Sequence, residues 1–371
     1  MAYGEKNDNS QPKLRETILT KSPQNQSIYE LLPFILNPDN IARFDAGKVI
    51  IGDRRAYPFS ESFVHCGSVD EVAIAIKDMV TQGSGPWLCA VQALRIITYR
   101  QMPPSPQGEQ QLRSELKSAR DTLVATRPTN TAMRIRLDEI LLVAEKAITE
   151  GRDVDVAVAS AIEQTLHGIF NDYSTRARAM ADLIEDGDGL LTNCFAEAGF
   201  ILALAFAKKD GKKITVYAPE TRPYLQGAKL TAPSIHEIGI DVHLITDNMP
   251  AAIMSEGKIQ KYITAADLIT IDGHVVNKIG TYQSAIAARA HGIPFYAFAW
   301  GRDNTKATRK DIVIEERDPS EIRSVLGLPT TIEDIKARYP TFDITPPNYV
   351  SGIVTIHGVL STDALTHYSN W

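Results

Sequence analysis

The sequence predicts an α/β protein in two parts: a mainly helical N-terminal domain with a small β element, then a C-terminal domain built on a doubly wound parallel sheet. Three observations predict it. A length of 371 residues is enough for two domains. Up to about residue 150 apolar residues recur at helical spacing. From about residue 188 short apolar runs alternate with helix-compatible stretches, the rhythm of a Rossmann-like sheet with helices on both faces.

Residues 1–27 are polar, rich in Asn, Gln, Ser and Lys, and read as a flexible extension without chemistry. Phe44 to Phe59 alternates apolar runs with turn residues, which predicts a small antiparallel hairpin. Ser68 followed three residues later by Glu71 is a capping-box pattern, and Val72, Ile76, Met79 and Val80 make an apolar stripe behind it. That helix stops at the Gly83–Pro86 turn. Further helices are predicted over 87–101, 108–126 and 131–150, separated by Pro-containing breaks. The segment 149–155 breaks the helical pattern, so the domains divide as 28–160 and 161–371. In the second domain buried strands are predicted within 189–194, 213–220, 242–248, 263–267, 268–273 and 294–299. Helices fall at Ala196–Lys209, Gln226–Ile238, Met249–Glu256 and Thr281–His291.

Composition removes several function classes. Lys plus Arg total 39 against 45 for Asp plus Glu, a net charge of −6, which disfavours a nucleic-acid or anionic-membrane surface. No apolar run reaches the length of a membrane span and the first residues lack a signal core. The three cysteines contain no CxxC pair, so neither a disulfide framework nor a structural zinc site follows, and a reducing cytoplasmic compartment fits. The eight histidines are scattered without metal-ligand spacing. With no GxGxxG, P-loop or GxSxG present, nucleotide cofactors and Ser-His-Asp hydrolysis are disfavoured; no metal and no cofactor are expected.

In a doubly wound sheet ligands bind outside the carboxyl ends of the strands. Polar residues gather there: Asn193 and Cys194, Glu220 to Arg222, Asp247 and Asn248, and Asp267. Cys194 reads either as a thiolate favoured by the helix after it or as a small buried apolar group. Asp267 reads as a catalytic acid or as a turn cap. Asn277 and Lys278 precede a Gly-Thr turn into a helix, fit for a sugar hydroxyl and a phosphate with help from helix N–H groups, or equally for an N-cap and a solvated lysine. Arg222 and Gln226 open another helix, where local capping competes with binding. The Gln82-Gly83-Ser84 turn makes a weak candidate phosphate nest.

Taken together the residues resemble the 5-methylthioribose-1-phosphate isomerase family, whose superfamily includes ribose-1,5-bisphosphate isomerases and the regulatory subunits of translation initiation factor two-B. The resemblance runs from about Phe44 to residue 359, strongest at 220–232, 244–249, 277–296 and 314–319. It implies a helical domain beside a Rossmann-like catalytic domain, a homodimer, and a small sugar-phosphate substrate. It further implies that Cys194 and Asp267 are catalytic and that Arg127, Gln226, Asn277 and Lys278 hold the substrate.

Three positions depart from the family. Gln82-Gly83-Ser84-Gly85-Pro86 stands where the isomerases read Arg-Gly-Ala-Pro-Ala, so a phosphate-binding arginine is absent. Phe195 follows the cysteine in place of a small or amide residue, and Ala265-Ala266-Asp267-Leu268 replaces Gly-Ala-Asp-Arg. These changes imply a different substituent at C5 of the sugar or a weakened activity. The expected reaction is aldose–ketose isomerisation of 5-methylthioribose 1-phosphate to 5-methylthioribulose 1-phosphate, as in methionine salvage. Asp267, its pKa raised by an apolar pocket that Phe195 and Leu268 help to line, protonates the ring oxygen. Cys194, as a thiolate, moves the C2 proton toward C1, or else a hydride passes between those carbons. The alternatives are an isomerase of 5-deoxyribose 1-phosphate or ribose 1,5-bisphosphate, and a non-catalytic regulatory binding protein.

Overall fold

The structure, a computed structural model, describes residues 28–100, 105–127 and 130–367. The extension expected over residues 1–27 lies outside them. Internal contacts divide the chain into two compact units. One takes in Asn37–Ala56 and Glu61–Phe170; the other takes in Leu31–Leu36, Tyr57–Ser60 and the chain from Asn171 onward. Where the sequence reading divides the chain near residue 160, the units part between Phe170 and Asn171, inside a helix that runs over Val154–Ala181.

In the first unit β1 (Ala42–Asp45), β2 (Lys48–Gly52) and β3 (Phe63–Cys66) form an antiparallel sheet in chain order. The expected hairpin is β1–β2, turning through Ala46 and Gly47, both left-handed. Its partner β3 escaped prediction because only the last of its four residues is buried, which leaves no alternation to read. At α1 (Val69–Lys77) the Ser68 hydroxyl accepts from the Glu71 N–H at 3.2 Å while the Glu71 carboxylate accepts from Gly67 at 2.6 Å, so the reciprocal bond lands one residue upstream of a standard box. Val72 and Ile76 are buried on α1; Met79, expected on the same stripe, lies beyond the helix end at φ 61°.

Every residue of α2 (Gly85–Thr98) is buried, its apolar side chains together with Gln92, Arg95 and Thr98. Around it pack α3 (Pro106–Thr126) and α4 (Thr131–Thr149). The start of α5 (Val154–Ala181) is tied to α2 by a buried ion pair: Arg95 meets the two Asp155 oxygens at 3.3 and 3.2 Å, and the Thr98 hydroxyl donates to the same carboxylate at 2.8 Å. Both charges are out of water, so removal of either partner alone leaves an uncompensated one.

The second unit contains β4 (Gly189–Leu191), α6 (Glu197–Lys209), β5 (Thr215–Pro219), a π turn over Gly227–Thr231 leading into α7 (Ala232–Glu237), β6 (Asp241–Ile245), α8 (Pro250–Ser255) and β7 (Lys261–Ala265). Then come β8 (Leu268–Ile269), β9 (Val275–Lys278), α9 (Thr281–Ala290), β10 (Phe295–Phe298), the small β11–β12 hairpin (Ser324–Val325, Leu328–Pro329), β13 (Phe342–Thr345), β14 (Gly352–Thr355) and β15 (Gly358–Leu360). Seven strands make one sheet in the order β15-β14-β10-β7-β4-β5-β6, parallel except for the β14–β15 pair. From β4 the chain builds outward through β5 and β6, then returns to lay β7 on the other side of β4. The strand order therefore reverses between β4 and β7, and doubly wound sheets bind their ligands outside the carboxyl ends of strands at such a reversal.

The strand expected within 268–273 is not part of this sheet. It shrinks to β8, antiparallel to β9 in a satellite sheet ordered β13-β9-β8, because Ala266 and Asp267 turn the chain out of β7 and the Asp267 N–H donates to the Val276 carbonyl at 2.9 Å. A second close fit joins β5 to the π turn. A Cβ on Gly227 would lie 1.7 Å from the Pro219 carbonyl oxygen, so only glycine lets the turn sit on the strand end. We expect Gly227→Ala to destabilise the protein by about 1–3 kcal/mol, read as a lowered midpoint in chemical denaturation.

Candidate active site at the strand-order reversal

Cys194 follows β4 and Asp267 follows β7, so these two sit at the strand ends flanking the reversal. What holds them is a set of buried polar contacts. The Thr281 hydroxyl donates to the Lys278 carbonyl at 2.7 Å and accepts from the side-chain amides of Asn193 at 2.9 Å and Asn277 at 3.0 Å. Asn193 also donates to the Lys278 carbonyl at 3.3 Å. β4, β9 and α9 are thereby locked to one point.

Around Cys194 the backbone is strained. Cys194 and Glu197 at the end of β4, and Thr221 and Leu225 at the end of β5, all have φ between 55° and 63° without being glycine. Neighbours restrain each of the first strand-end turns: the Cys194 N–H donates to the Thr221 hydroxyl at 3.1 Å, and the Thr231 hydroxyl donates to the Cys194 carbonyl. Asp247, at the end of β6, accepts the N–H groups of Thr221 and Arg222, each at 2.7 Å. That carboxylate serves as a clamp on the β5 turn. Arg222 likewise works in the scaffold, donating to the carbonyls of Ile322 at 3.1 Å and Ser324 at 3.0 Å.

Desolvation dominates the electrostatics. Burial pushes the Cys194 thiol up to about 12; Lys278 and the Phe195 N–H pull it down, while Asp267 and Glu197 push it further up. The expected thiolate is therefore absent at neutral pH, because the helix terminus and one nearby cation do not offset the loss of water. Asp267 is solvent-exposed, yet the protein packed around it lifts its carboxyl to about 6, with Glu197 adding to the rise and Lys278 and Arg317 opposing it. Lys278 has its amine pushed down by burial, against the pull of Cys194 and Asp267, and its ammonium lies 4.8 Å from the Phe342 ring centroid.

The N–H groups of α9 do not wait for a phosphate. β13 pairs Asp343 opposite Asn277, and the Asp343 carboxylate accepts from Gly280 at 2.8 Å and Tyr282 at 3.0 Å. Gly280, at φ 98°, supplies the left-handed turn that aims those donors. Gln226 is placed differently: its side-chain oxygen is buried with no hydrogen-bond partner.

The remaining candidates lie in the first unit. Gln82 accepts at its main-chain carbonyl from the Arg54 guanidinium at 2.7 Å, Gly83 is left-handed at φ 63°, and Ser84 begins α2 without a side-chain cap bond. Arg127 donates to the Ile76 carbonyl at 3.1 Å and contacts the Met79 sulfur, so it closes the C-terminus of α1. Three charged residues escaped the sequence reading. Arg54 carries no local motif. Glu197 was visible only as part of the departure after Cys194, and Arg317 lay within the resembling tract 314–319. Among the described residues no cluster of His, Cys, Asp or Glu is arranged to hold a metal ion, and no helix is long and apolar enough to cross a membrane.

Comparison with known proteins gives consistent results. Residues 83–362 match the sequence model of the Initiation factor 2 subunit family. The methylthioribose-1-phosphate isomerase of Fervidobacterium nodosum is 36% identical over 325 residues, covering 84% of this chain and 91% of that one. Its counterpart in Thermosipho africanus is 37% identical over 327 residues, covering 84% and 92%. Among solved structures, translation initiation factor eIF-2B subunit delta from A. fulgidus superposes with a TM-score of 0.80 at 30% identity, covering 88% of this chain and 96% of that one. The 5-methylthioribose 1-phosphate isomerase of Pyrococcus horikoshii gives a TM-score of 0.78 at 29% identity, covering 87% and 92%.

Since Lys278 pulls the Cys194 thiol down, Lys278→Met moves it up. The expected outcome is several-fold slower alkylation of Cys194 by iodoacetamide at a fixed pH near 9, followed by peptide mass spectrometry.

Proposed function

Because this chain belongs to the Initiation factor 2 subunit family, and because its relatives at 34–37% identity are methylthioribose-1-phosphate isomerases, we propose that it is an aldose–ketose isomerase converting 5-methylthioribose 1-phosphate to 5-methylthioribulose 1-phosphate. One observation carries the reading: Cys194 and Asp267 occupy the two strand ends beside the order reversal, with Lys278 within electrostatic reach of both. A pure binding protein has no use for that trio. The family resemblance adds a homodimer and a cytoplasmic location to the proposal.

An aldose 1-phosphate cannot open its ring as a free sugar does, because its anomeric oxygen is esterified. An acid at the ring oxygen is the remedy, and a carboxyl lifted to about 6 is still partly protonated near neutrality. Asp267 gives its proton to the ring oxygen as the C1–O bond breaks, leaving C1 electron-poor. A thiol held up at about 12 stays protonated near neutrality and so offers no base to take the C2 proton, which favours the hydride route over proton abstraction. The hydride moves from C2 to C1, the C2 hydroxyl loses its proton to become the ketone, and that proton restores Asp267. Cys194 in this scheme is a neutral hydrogen-bonding group that steers the C2 hydroxyl. The buried, unpartnered Gln226 oxygen suits a sugar hydroxyl, the Asn277 amide and Lys278 amine suit the substrate's polar edge, and Gln82, Gly83, Ser84 and Arg127 are proposed for the phosphate.

The test is incubation of purified protein with 5-methylthioribose 1-phosphate, 5-deoxyribose 1-phosphate and ribose 1,5-bisphosphate, followed by proton NMR in deuterium oxide. Ketose should form from the first substrate without deuterium at C1, and Asp267→Asn should lower turnover by about 10²–10⁴. Deuterium at C1 returns Cys194 to the role of base. Ketose from one of the other sugars alone reassigns the C5 substituent. No ketose from any of the three overturns the enzyme reading in favour of a sugar-phosphate-binding regulator.

A further inference from the structure

We infer that Glu197 is a positioning residue for this site: its carboxylate, gripped by the Tyr173 hydroxyl at the start of α6, is the anionic counterweight to Lys278 beside Cys194 and Asp267. Its effect on turnover rests on the isomerase reading; its effect on the thiol does not.

Glu197 opens α6 three residues after Cys194, and both residues are left-handed, at φ 55° and 61°. An acidic residue at a helix start is ordinary; a strained one held by a buried tyrosine is not. The Tyr173 hydroxyl donates to the Glu197 carboxylate at 3.2 Å, and the Tyr173 ring stands edge-on to Trp300 with centroids 4.6 Å apart. Arg176 in turn lies 4.3 Å over the Trp300 ring.

Two contacts bring Glu197 and Asp267 to the same strand end. Gly199, two residues into α6, lies so close to β10 that a Cβ there would be 3.2 Å from the Phe298 ring and 3.6 Å from the Tyr173 ring. From the other side, the Ala266 N–H donates to the Phe298 carbonyl at 2.9 Å. The end of β10 thus seats both the start of α6 and the turn that carries Asp267.

The charged groups acting on the pair oppose one another. Lys278 from β9 pulls both Cys194 and Asp267 toward their ionised forms, and Arg317 does so at Asp267. Glu197 works against them at both residues, and at Cys194 Asp267 and burial act in the same direction as Glu197. The Tyr173 hydroxyl is among the groups that face Glu197, and Arg176 acts on that tyrosine in turn. Without Glu197, Lys278 would have no anionic counterweight from α6, and Asp267 would give up its proton at lower pH. A general acid needs the opposite.

The experiment measures the rate of Cys194 carboxamidomethylation against pH in the wild type, Glu197→Gln, Glu197→Asp and Tyr173→Phe, by peptide mass spectrometry. Buried Cys66 and Cys89 in the same molecules report whether the fold is intact. Glu197→Gln should move the Cys194 curve to lower pH by about one unit, a several-fold to roughly tenfold faster reaction at fixed pH, with Cys66 and Cys89 unmoved. Glu197→Asp should restore the wild-type curve. Tyr173→Phe, which keeps the charge but releases it, should move the curve the same way by less, and it supplies the answer where Glu197→Gln fails to fold. The alkaline limb of turnover should move to lower pH as well in Glu197→Gln. Curves that superimpose on the wild type in Glu197→Gln and Tyr173→Phe overturn the inference. A shifted thiol curve in a protein that turns over no sugar phosphate supports it while sinking the isomerase reading.

Discussion

The Thr281 hydroxyl is the contact on which the arrangement of the second unit depends. A hydroxyl has one proton and two lone pairs, and all three are used: the proton goes to the Lys278 carbonyl, and the lone pairs take the amides of Asn193 and Asn277. Asn193 precedes Cys194, and Asn277 precedes Lys278. A single buried oxygen therefore sets the separation of the cysteine's strand end from the lysine's strand end. Because it is saturated, any shift of β4 against β9 leaves a buried amide unbonded, at about 1–3 kcal/mol.

Desolvation does the rest of the chemical tuning. Cys194 and Asp267 are both pushed up and Lys278 is pushed down, so three ionisable groups move toward their uncharged forms in one place. That is an environment for donating protons and hydrogen bonds at a sugar ring. It is not one for a resident thiolate. The same argument applies to Asp343, also lifted to about 6 by burial despite the N–H groups it accepts at the start of α9. Loss of water outweighs two or three good hydrogen bonds there, as it outweighs Lys278 at Cys194.

The strained turns belong to this picture. Four left-handed residues, Cys194, Glu197, Thr221 and Leu225, sit at the ends of β4 and β5, each carrying a backbone penalty on the order of 1–3 kcal/mol. Asp247, Thr221 and Thr231 hold the turns in place through bonds to backbone groups. Polar strand ends that look alike in the sequence have thus divided their work. Asp247 and Arg222 brace the scaffold, while Cys194, Asp267 and Lys278 face one another electrostatically.

Much of this was legible in the sequence because it rests on local periodicity. The alternation of apolar runs and helices after residue 188 determined the parallel sheet, and the placement of Cys194 and Asp267 at strand ends followed from it. The helices of the first unit were readable for the same reason, down to the Ser68 cap. Quantities set by distant parts of the chain were not. Asp343 lies 63 residues from the Gly280 N–H it occupies, and nothing near either residue announces the pairing. The short β8 and β9 strands took their direction from a satellite sheet completed by β13, far along the chain. The protonation state of Cys194 depended on how much water the assembled fold removes, which no spacing encodes. The sequence by itself determined which residues stand at the strand ends. Tertiary structure alone decided which of them brace the fold and which share a field, because burial and the Coulomb interaction act through space and not along the chain.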